Sequence, residues 1–185
     1  MARRTDAVRN RERLVEEAAR AFAAEGPDAS LEGIARRTGL AVGTLYRHFP
    51  TREHLQEAVF CERIDTLRSE AEIALGAPDP YRALVGWLSS YLAHARAWRN
   101  LGTAVLMTKL WQGSAANLRC RELVTAGDAL LQRAKDAGDV RSDITISELL
   151  HLVHGITVTL EKAPPHFADP VRMLSLVLDG VHSRE

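Results

Sequence analysis

Apolar residues recur at intervals of three or four along most of the 185-residue chain, which is the period of a helix with one buried face. No segment alternates apolar and polar residues in the way that a half-buried strand does. Glycine and proline interrupt the periodic segments, for example at Gly26-Pro27, Gly76-Ala77-Pro78 and Ala163-Pro164-Pro165. The pattern predicts an all-α protein of nine helices.

The first helix is predicted from Asp6 to about Glu25, after an arm of residues 1–5 that we expect to be mobile. Two short helices follow between residues 31 and 49, and a long one is predicted from Thr51 to about Leu75. The other five are predicted from Asp79-Pro80 to about Trp98, from about Leu101 to Gln112, from Ser114 to Gly138, from Thr145 to the break at Ala163, and from Asp169 to Val181.

The two short helices have the features of a helix-turn-helix. Ser30 precedes the first apolar residue, where its hydroxyl can accept a backbone N–H and start a helix. Gly39 lies at the end of the first short helix, where glycine adopts a left-handed backbone conformation at little cost. Their buried sides are predicted to be Ile34 and Ala35 in the first, and Leu45 and Phe49 in the second.

The opposite face of the second short helix carries Thr44, Arg47 and His48, with Tyr46 beside them. Hydrogen-bond donors and an aromatic hydroxyl on one exposed face suit contacts with phosphates and base edges in a major groove. A helical hairpin whose polar face only meets water would explain this face equally well. The pattern of the two helices alone leaves both interpretations open.

The run Ser30-Leu31-Glu32-Gly33-Ile34-Ala35, together with Gly43-Thr44-Leu45-Tyr46-Arg47-His48-Phe49-Pro50-Thr51-Arg52-Glu53, resembles the DNA-binding domain of TetR-family transcriptional repressors. The resemblance implies a helix-turn-helix domain over residues 1–55 and a helical ligand-binding and dimerisation domain over residues 56–185. It implies a double-stranded DNA operator as partner, and its nine helices equal the predicted number.

Eight residues are predicted to contact DNA: Arg4, Val42, Gly43, Thr44, Tyr46, Arg47, His48 and Arg52. Tyr46 and His48 are assigned to phosphates, and Thr44 and Arg47 to base edges or the phosphates beside them. Two positions depart from the family. Ala41 replaces a hydroxyl that usually caps the second helix, and Val42 replaces a residue that is often polar and could instead meet a thymine methyl.

The overall charge does not indicate a nucleic-acid binder, because 24 basic residues balance 24 acidic ones. Positive charge is instead concentrated at the start of the chain, where the first thirteen residues contain five arginines and only two acidic residues, Asp6 and Glu12. In the resembled family this region lies beside the DNA backbone. A solvated basic tail is the alternative interpretation.

Two cysteines, Cys61 and Cys120, are far apart in sequence, which fits a reducing compartment better than a disulfide framework. A redox pair is the alternative. The N-terminus has no apolar signal segment and no apolar run is long enough to span a bilayer. We therefore expect a soluble, cytoplasmic protein with no membrane partner and no cofactor.

The last two predicted helices are apolar on more than one side. In the first of them, Leu149, Leu152, Val153 and Ile156 form one stripe, while Leu150, His154 and Val158 lie on another. One stripe serves the subunit core, and the second is predicted to pack against the same helices of another copy. The resemblance likewise implies a homodimer through these two helices.

Large aromatic and sulfur-containing residues, interspersed with histidines, lie in the middle and late helices: Trp87, Tyr91, His94, Met107, Leu110, Trp111, His151 and His154. An apolar pocket with a few polar groups is the usual form of a small-molecule site. These residues are predicted to bind an effector of unknown identity, and an ordinary packed core is the alternative.

Glu148 and His151 have the spacing of half a di-iron site, but no second such pair is present and Glu148 fits a helix-capping box with Thr145. We therefore predict a DNA-binding regulator and not an enzyme. The resemblance implies a repressor that a small apolar or amphipathic ligand releases from a partly palindromic operator. A DNA-binding regulator without an effector is the first alternative, and a metal-dependent helical-bundle enzyme is the distant one.

Overall fold

The computed structural model of the chain describes residues 2–106, 114–162 and 169–182, with the side chains of residues 5–96, 114–160 and 169–182. These residues form eight helices, α1 Ala2–Glu25, α2 Leu31–Arg37, α3 Val42–His48, α4 Arg52–Ala74, α5 Pro80–Leu106, α6 Ala115–Asp136, α7 Ile146–Lys162 and α8 Pro170–Val181. Within the described ranges the one β-type contact is an isolated bridge between Val140 and His182. The all-α prediction is confirmed.

Two predicted boundaries are wrong. The expected mobile arm is helical from Ala2 onward, because arginine and alanine are good helix formers and nothing there interrupts a helix. The helices expected on either side of Arg99 are one helix, α5, which continues to Leu106. A single glycine at position 102 costs a helix only about 1 kcal/mol and does not end it. The described residues form eight helices rather than nine, and residues 107–112 of the helix expected from Leu101 to Gln112 lie outside them.

The helix starts follow from local side-chain caps. The N–H of Asn117 donates to the Ser114 hydroxyl (3.1 Å) at α6, and the N–H of Arg172 donates to the Asp169 carboxylate (3.0 Å) at α8. At α7, Thr145 N donates to Glu148 Oε2 (2.7 Å), and Glu148 N donates to Thr145 Oγ1 (3.2 Å). The predicted capping box is thus confirmed, and it accounts for Glu148 without a metal.

The chain divides into two compact units, Met1–Arg63 with Asn100–Asn117, and Ile64–Arg99 with Leu118–Glu185. The passage from Arg63 to Ile64 lies inside α4, and the predicted domain limits at residues 55 and 56 remain a prediction. The buried core of the first unit includes Leu14, Ala18, Phe22, Ile34, Leu45, Phe49, Leu55 and Val59. That of the second includes Leu67, Leu84, Trp87, Leu88, Leu130, Leu131, Leu149, Val153, Leu174 and Leu178.

In α7, Leu150 and Leu152 have exchanged the places predicted for them in the two apolar stripes. Leu150 is buried in the subunit, whereas Leu152 is 53% exposed. Leu150 lies three residues before Val153, so a helix of 3.6 residues per turn places both toward the core. Val158 is also exposed, and it lies about 120° around the helix from Leu152.

Candidate nucleic-acid interface

The turn between α2 and α3 is built by local backbone chemistry. The N–H of Gly33 donates to the Ser30 hydroxyl (3.1 Å), which caps the start of α2 as predicted. Gly39 has a φ of +70°, and the N–H of Leu40 donates to the carbonyl of Ala35 (3.1 Å) at the helix end. The left-handed conformation that ends α2 is therefore supplied by the predicted glycine.

Helix α3 has one buried and one exposed side. Leu45 and Phe49 are 0% and 2% exposed, and α3 packs against both α1 and α2. Gly43, Tyr46 and Arg47 are exposed. Three further residues of the predicted interface, Val42, Thr44 and His48, are half-buried at its edges. The structure thus brings the six predicted α3 residues onto one short helix whose opposite side is sealed in the core.

The start of α3 has no side-chain cap. Ala41 occupies the N-cap position with an extended backbone, and no side chain accepts a hydrogen bond from the first turn. The backbone N–H of Thr44 donates to the Ala41 carbonyl (2.8 Å). A seven-residue helix without a cap depends on its packing, because isolated helices of this length are unstable in water.

The arginines near the start of the chain do not all remain available to a ligand. The guanidinium of Arg13 donates to the Thr38 carbonyl at the end of α2, and that of Arg11 lies 5.4 Å from the centre of the Phe49 ring. Arg9 is exposed, and the side chain of Arg4 lies outside the described residues. Part of the basic cluster therefore holds α1 against α2 and α3.

Arg52, predicted to contact a phosphate, makes two hydrogen bonds within the protein. Its Nη1 donates to the carbonyls of Pro27 (3.1 Å) and Ala29 (2.6 Å) in the loop between α1 and α2. Gln56 Nε2 donates to the same Pro27 carbonyl (2.9 Å). Sequence reasoning missed Gln56, since its partner lies 29 residues earlier and a polar residue on an amphipathic helix gives no separate signal.

Two family models match the chain. The one described as bacterial regulatory proteins of the tetR family matches residues 14–59, which contain α2, α3 and the exposed face of α3. The one described as the C-terminal domain of SbtR-like transcriptional regulators matches residues 79–183, more than half of the chain. The chain belongs to the TetR family. As a TetR-family protein it is a DNA-binding transcriptional regulator, and the resemblance in its sequence is confirmed.

Known TetR-family proteins resemble it over different lengths. The crystal structure of the TetR regulator SCO0520 from Streptomyces coelicolor is 34% identical, with a TM-score of 0.75 over 95% of this chain and 99% of that one. The regulator TtgW from Pseudomonas putida is 35% identical over 88 residues, and the repressor KstR from Mycolicibacterium smegmatis is 35% identical over 79. These segments span 46% and 40% of this chain, and 66% and 39% of the two curated relatives.

The predicted effector residues fall into several environments in this TetR-family chain. Trp87 is buried, and its ring lies 6.3 Å from that of Tyr91. Burial raises the pKa of Tyr91 to about 12, with a smaller contribution from Cys120. One turn further on, His94 is half-buried with Nε2 3.9 Å from Glu70 Oε1. Trp87, Tyr91 and His94 therefore form one row along α5.

The other predicted effector residues lie on α7 or outside the described residues. His151 is exposed on α7 and His154 is half-buried, whereas Met107, Leu110 and Trp111 lie outside the described residues. The pocket as a set remains a prediction.

Trp87 itself is held by α4 and α6. Its indole Nε1 donates to the Leu67 carbonyl of α4 (2.9 Å). A Cβ added at Gly127 of α6 would come within 2.4 Å of the indole ring, and within 3.0 Å of Ile146. Glycine at 127 is what lets α6 approach the ring. Trp87 is therefore a packed core residue whose polar group already has a partner.

Within the described residues, no helix is long and apolar enough to cross a membrane. Over the same residues, no three His, Cys, Asp or Glu side chains lie close enough together to hold a metal ion. Cys61 is buried and Cys120 half-buried.

Proposed function

We propose that this TetR-family protein binds a partly palindromic operator as a homodimer and represses transcription until a small apolar or amphipathic ligand releases it. The exposed side of α3 carries the proposal, because Tyr46 and Arg47 face solvent while Leu45 and Phe49 are sealed beneath them. A face of this kind supplies donors for phosphates and base edges. In this proposal Thr44 and Arg47 reach base edges, and Tyr46 and His48 bind phosphates.

The proposed dimer interface is the exposed side of α7 and α8. Four large apolar side chains, each more than half exposed, lie on these two helices: Leu152, Val158, Val171 and Leu176. The two helices pack on each other through a separate buried set, so this exposed side has no role in the subunit core. Burial against a two-fold copy removes it from water, and two recognition helices about 34–36 Å apart can then enter successive major grooves.

The proposal also includes repression of transcription and release from DNA by a ligand. The relative KstR is described as a repressor, which favours the same sign of regulation here. Beside the packed Trp87, the half-buried Tyr91 and His94 supply a phenol and an imidazole, groups that suit an amphipathic ligand. A ligand that displaces α4 would weaken operator binding five- to more than a hundredfold for a coupling free energy of about 1–3 kcal/mol. The proposal assigns the protein no catalysis and places it in the cytoplasm, with DNA.

Selection of bound duplexes from random DNA tests the proposal. We expect a partly palindromic site whose affinity falls steeply as salt rises, since each phosphate contact contributes about 0.9 to the logarithmic salt slope. Candidate ligands are then added to the selected complex. The proposed repressor is refuted if no duplex is enriched, or if the affinity of the enriched duplex does not respond to salt.

A further inference from the structure

The first turns of α4 hold the loop between α1 and α2 through two side chains. Arg52 and Gln56 are four residues apart, so both lie on the same side of the helix. Arg52 Nη1 donates to Pro27 O and Ala29 O, and Gln56 Nε2 donates to Pro27 O, at 3.1, 2.6 and 2.9 Å. Two carbonyls of one short loop are thus bound by one face of α4.

This loop determines where α2 begins. Gly26 ends α1 with a φ of +88°, and the N–H of Ala29 donates to the Gly26 carbonyl (3.2 Å). The next residue, Ser30, is the N-cap of α2. Because Ala29 is 4% exposed, its carbonyl needs a partner inside the protein, and Arg52 supplies one. A displaced loop would move the start of α2, on which α3 packs.

Gln56 is placed for this single task. It is 5% exposed, although glutamine is mostly found at protein surfaces. A buried amide that lost its partner would be costly, so its bond to Pro27 constrains the loop as well as the side chain.

We propose that Arg52 and Gln56 are positioning residues for operator binding: they fix α2 and α3 relative to the start of α4, and Arg52 acts through the loop rather than on a phosphate. The inference depends on the proposed function, since it assumes that α3 contacts the operator. It replaces the phosphate contact that the sequence alone assigns to Arg52. Gln56 binds the same Pro27 carbonyl although it carries no charge. Its effect on operator binding therefore separates a positioning role from a direct charge contact with DNA.

The salt dependence of operator binding by the 185-residue chain tests the proposal. Gln56→Met and Arg52→Met are compared with the unaltered protein on the selected duplex, at a temperature where circular dichroism shows every variant folded. Loss of a hydrogen bond of this kind is expected to weaken binding roughly five- to tenfold for Gln56→Met, and more for Arg52→Met. The salt slope should stay unchanged in both, because neither variant removes a phosphate contact.

Matched variants control for charge and for folding. Arg20→Met removes a positive charge from α1 whose pairs are the exposed Glu16 and the partly buried Glu17, and should leave affinity almost unchanged. Gln56→Asn keeps the amide but shortens its reach, and should weaken binding in the same direction as Gln56→Met. A role in stability alone would lower the melting temperature of these variants without changing the affinity of the folded protein.

Three results would overturn the proposal. One is a salt slope that falls by about 1.8 in Arg52→Met, the loss of two phosphate contacts per dimer, while Gln56→Met binds normally. Another is unchanged affinity in every folded variant. The third is a double variant whose loss equals the product of the single losses, since residues sharing one carbonyl should not act independently. If the unaltered protein binds no duplex, the proposed function fails instead.

Discussion

The exposed side of α3 and the exposed side of α7 and α8 differ in the chemistry that they present. Helix α3 exposes a glycine, a tyrosine and an arginine, whereas α7 and α8 expose leucine and valine, among them Leu152 and Leu176. Each helix satisfies the core with its other side. The difference indicates two kinds of partner, because charged and hydroxyl groups remain hydrated until an anionic ligand replaces water, while large apolar groups gain from being buried.

The starts of the same helices differ as well. Helix α7 begins with the reciprocal bonds between Thr145 and Glu148, while α3 begins at Ala41 without a side-chain cap. A cap contributes about 1 kcal/mol to a helix. The helix that we propose reads DNA is therefore held by packing through Leu45 and Phe49, and α7 is held by its own first turn as well.

Leu152→Glu should have the largest effect. In a two-fold interface the substitution places two carboxylates where apolar contact is expected, and an unpaired buried charge costs several kcal/mol. We expect dimer dissociation and a roughly hundredfold or greater loss of operator affinity, because a monomer contacts one half-site. Sedimentation velocity and fluorescence anisotropy measure the two effects. The control is Ile73→Glu, at an apolar residue of α4 that is 78% exposed, and this variant should remain a dimer. A Leu152→Glu protein that stays dimeric at the same concentration would refute the interface.

Arg47→Ala, on the exposed side of α3, should have the next largest effect on operator affinity. Loss of a bidentate base contact costs about 1–3 kcal/mol, so operator affinity should fall about five- to 150-fold while the dimer remains intact. Selectivity between the operator and random DNA should fall with it. Arg20→Ala, on α1, is the matched control. Operator affinity equal to that of the unaltered protein would remove Arg47 from the contact surface.

Short-range rules account for the parts of the fold that were predicted correctly. Ser30, Gly39 and Thr145 act on backbone groups within five residues, so their roles can be inferred from sequence spacing. The buried pair Leu45 and Phe49 follows from the helical period.

The features that sequence could not predict depend on distant contacts or on weak signals. The bonds from Arg52 to the loop at Pro27 and from Trp87 to Leu67 span 25 and 20 residues, and no spacing rule predicts which carbonyl a donor will reach. The helix break expected between Trp98 and Leu101 does not occur, because α5 tolerates the residues there and the glycine that follows. The candidate interface was predictable as a face, because its polar residues share one short helix, but the hydrogen bonds of Arg52 to the loop were not.

The smallest expected effect concerns the first turn of α7, and it separates the capped helix from the uncapped one. Hydrogen bonds from the backbone and then the side chain of Thr145 lower the pKa of Glu148 from 4.5. Because the pKa is lower in the folded protein, the ionised carboxylate stabilises the fold above pH 4.5, and this contribution is lost as the pH falls through the folded-state pKa. Glu148→Gln can still accept hydrogen bonds but cannot ionise, so its melting temperature should lie slightly below that of the unaltered protein at pH 7 and converge with it toward pH 3. Glu122→Gln, at an exposed residue of α6, serves as the control. A difference between Glu148→Gln and the unaltered protein that persists at pH 3 would show that the carboxylate does not stabilise α7 through its charge.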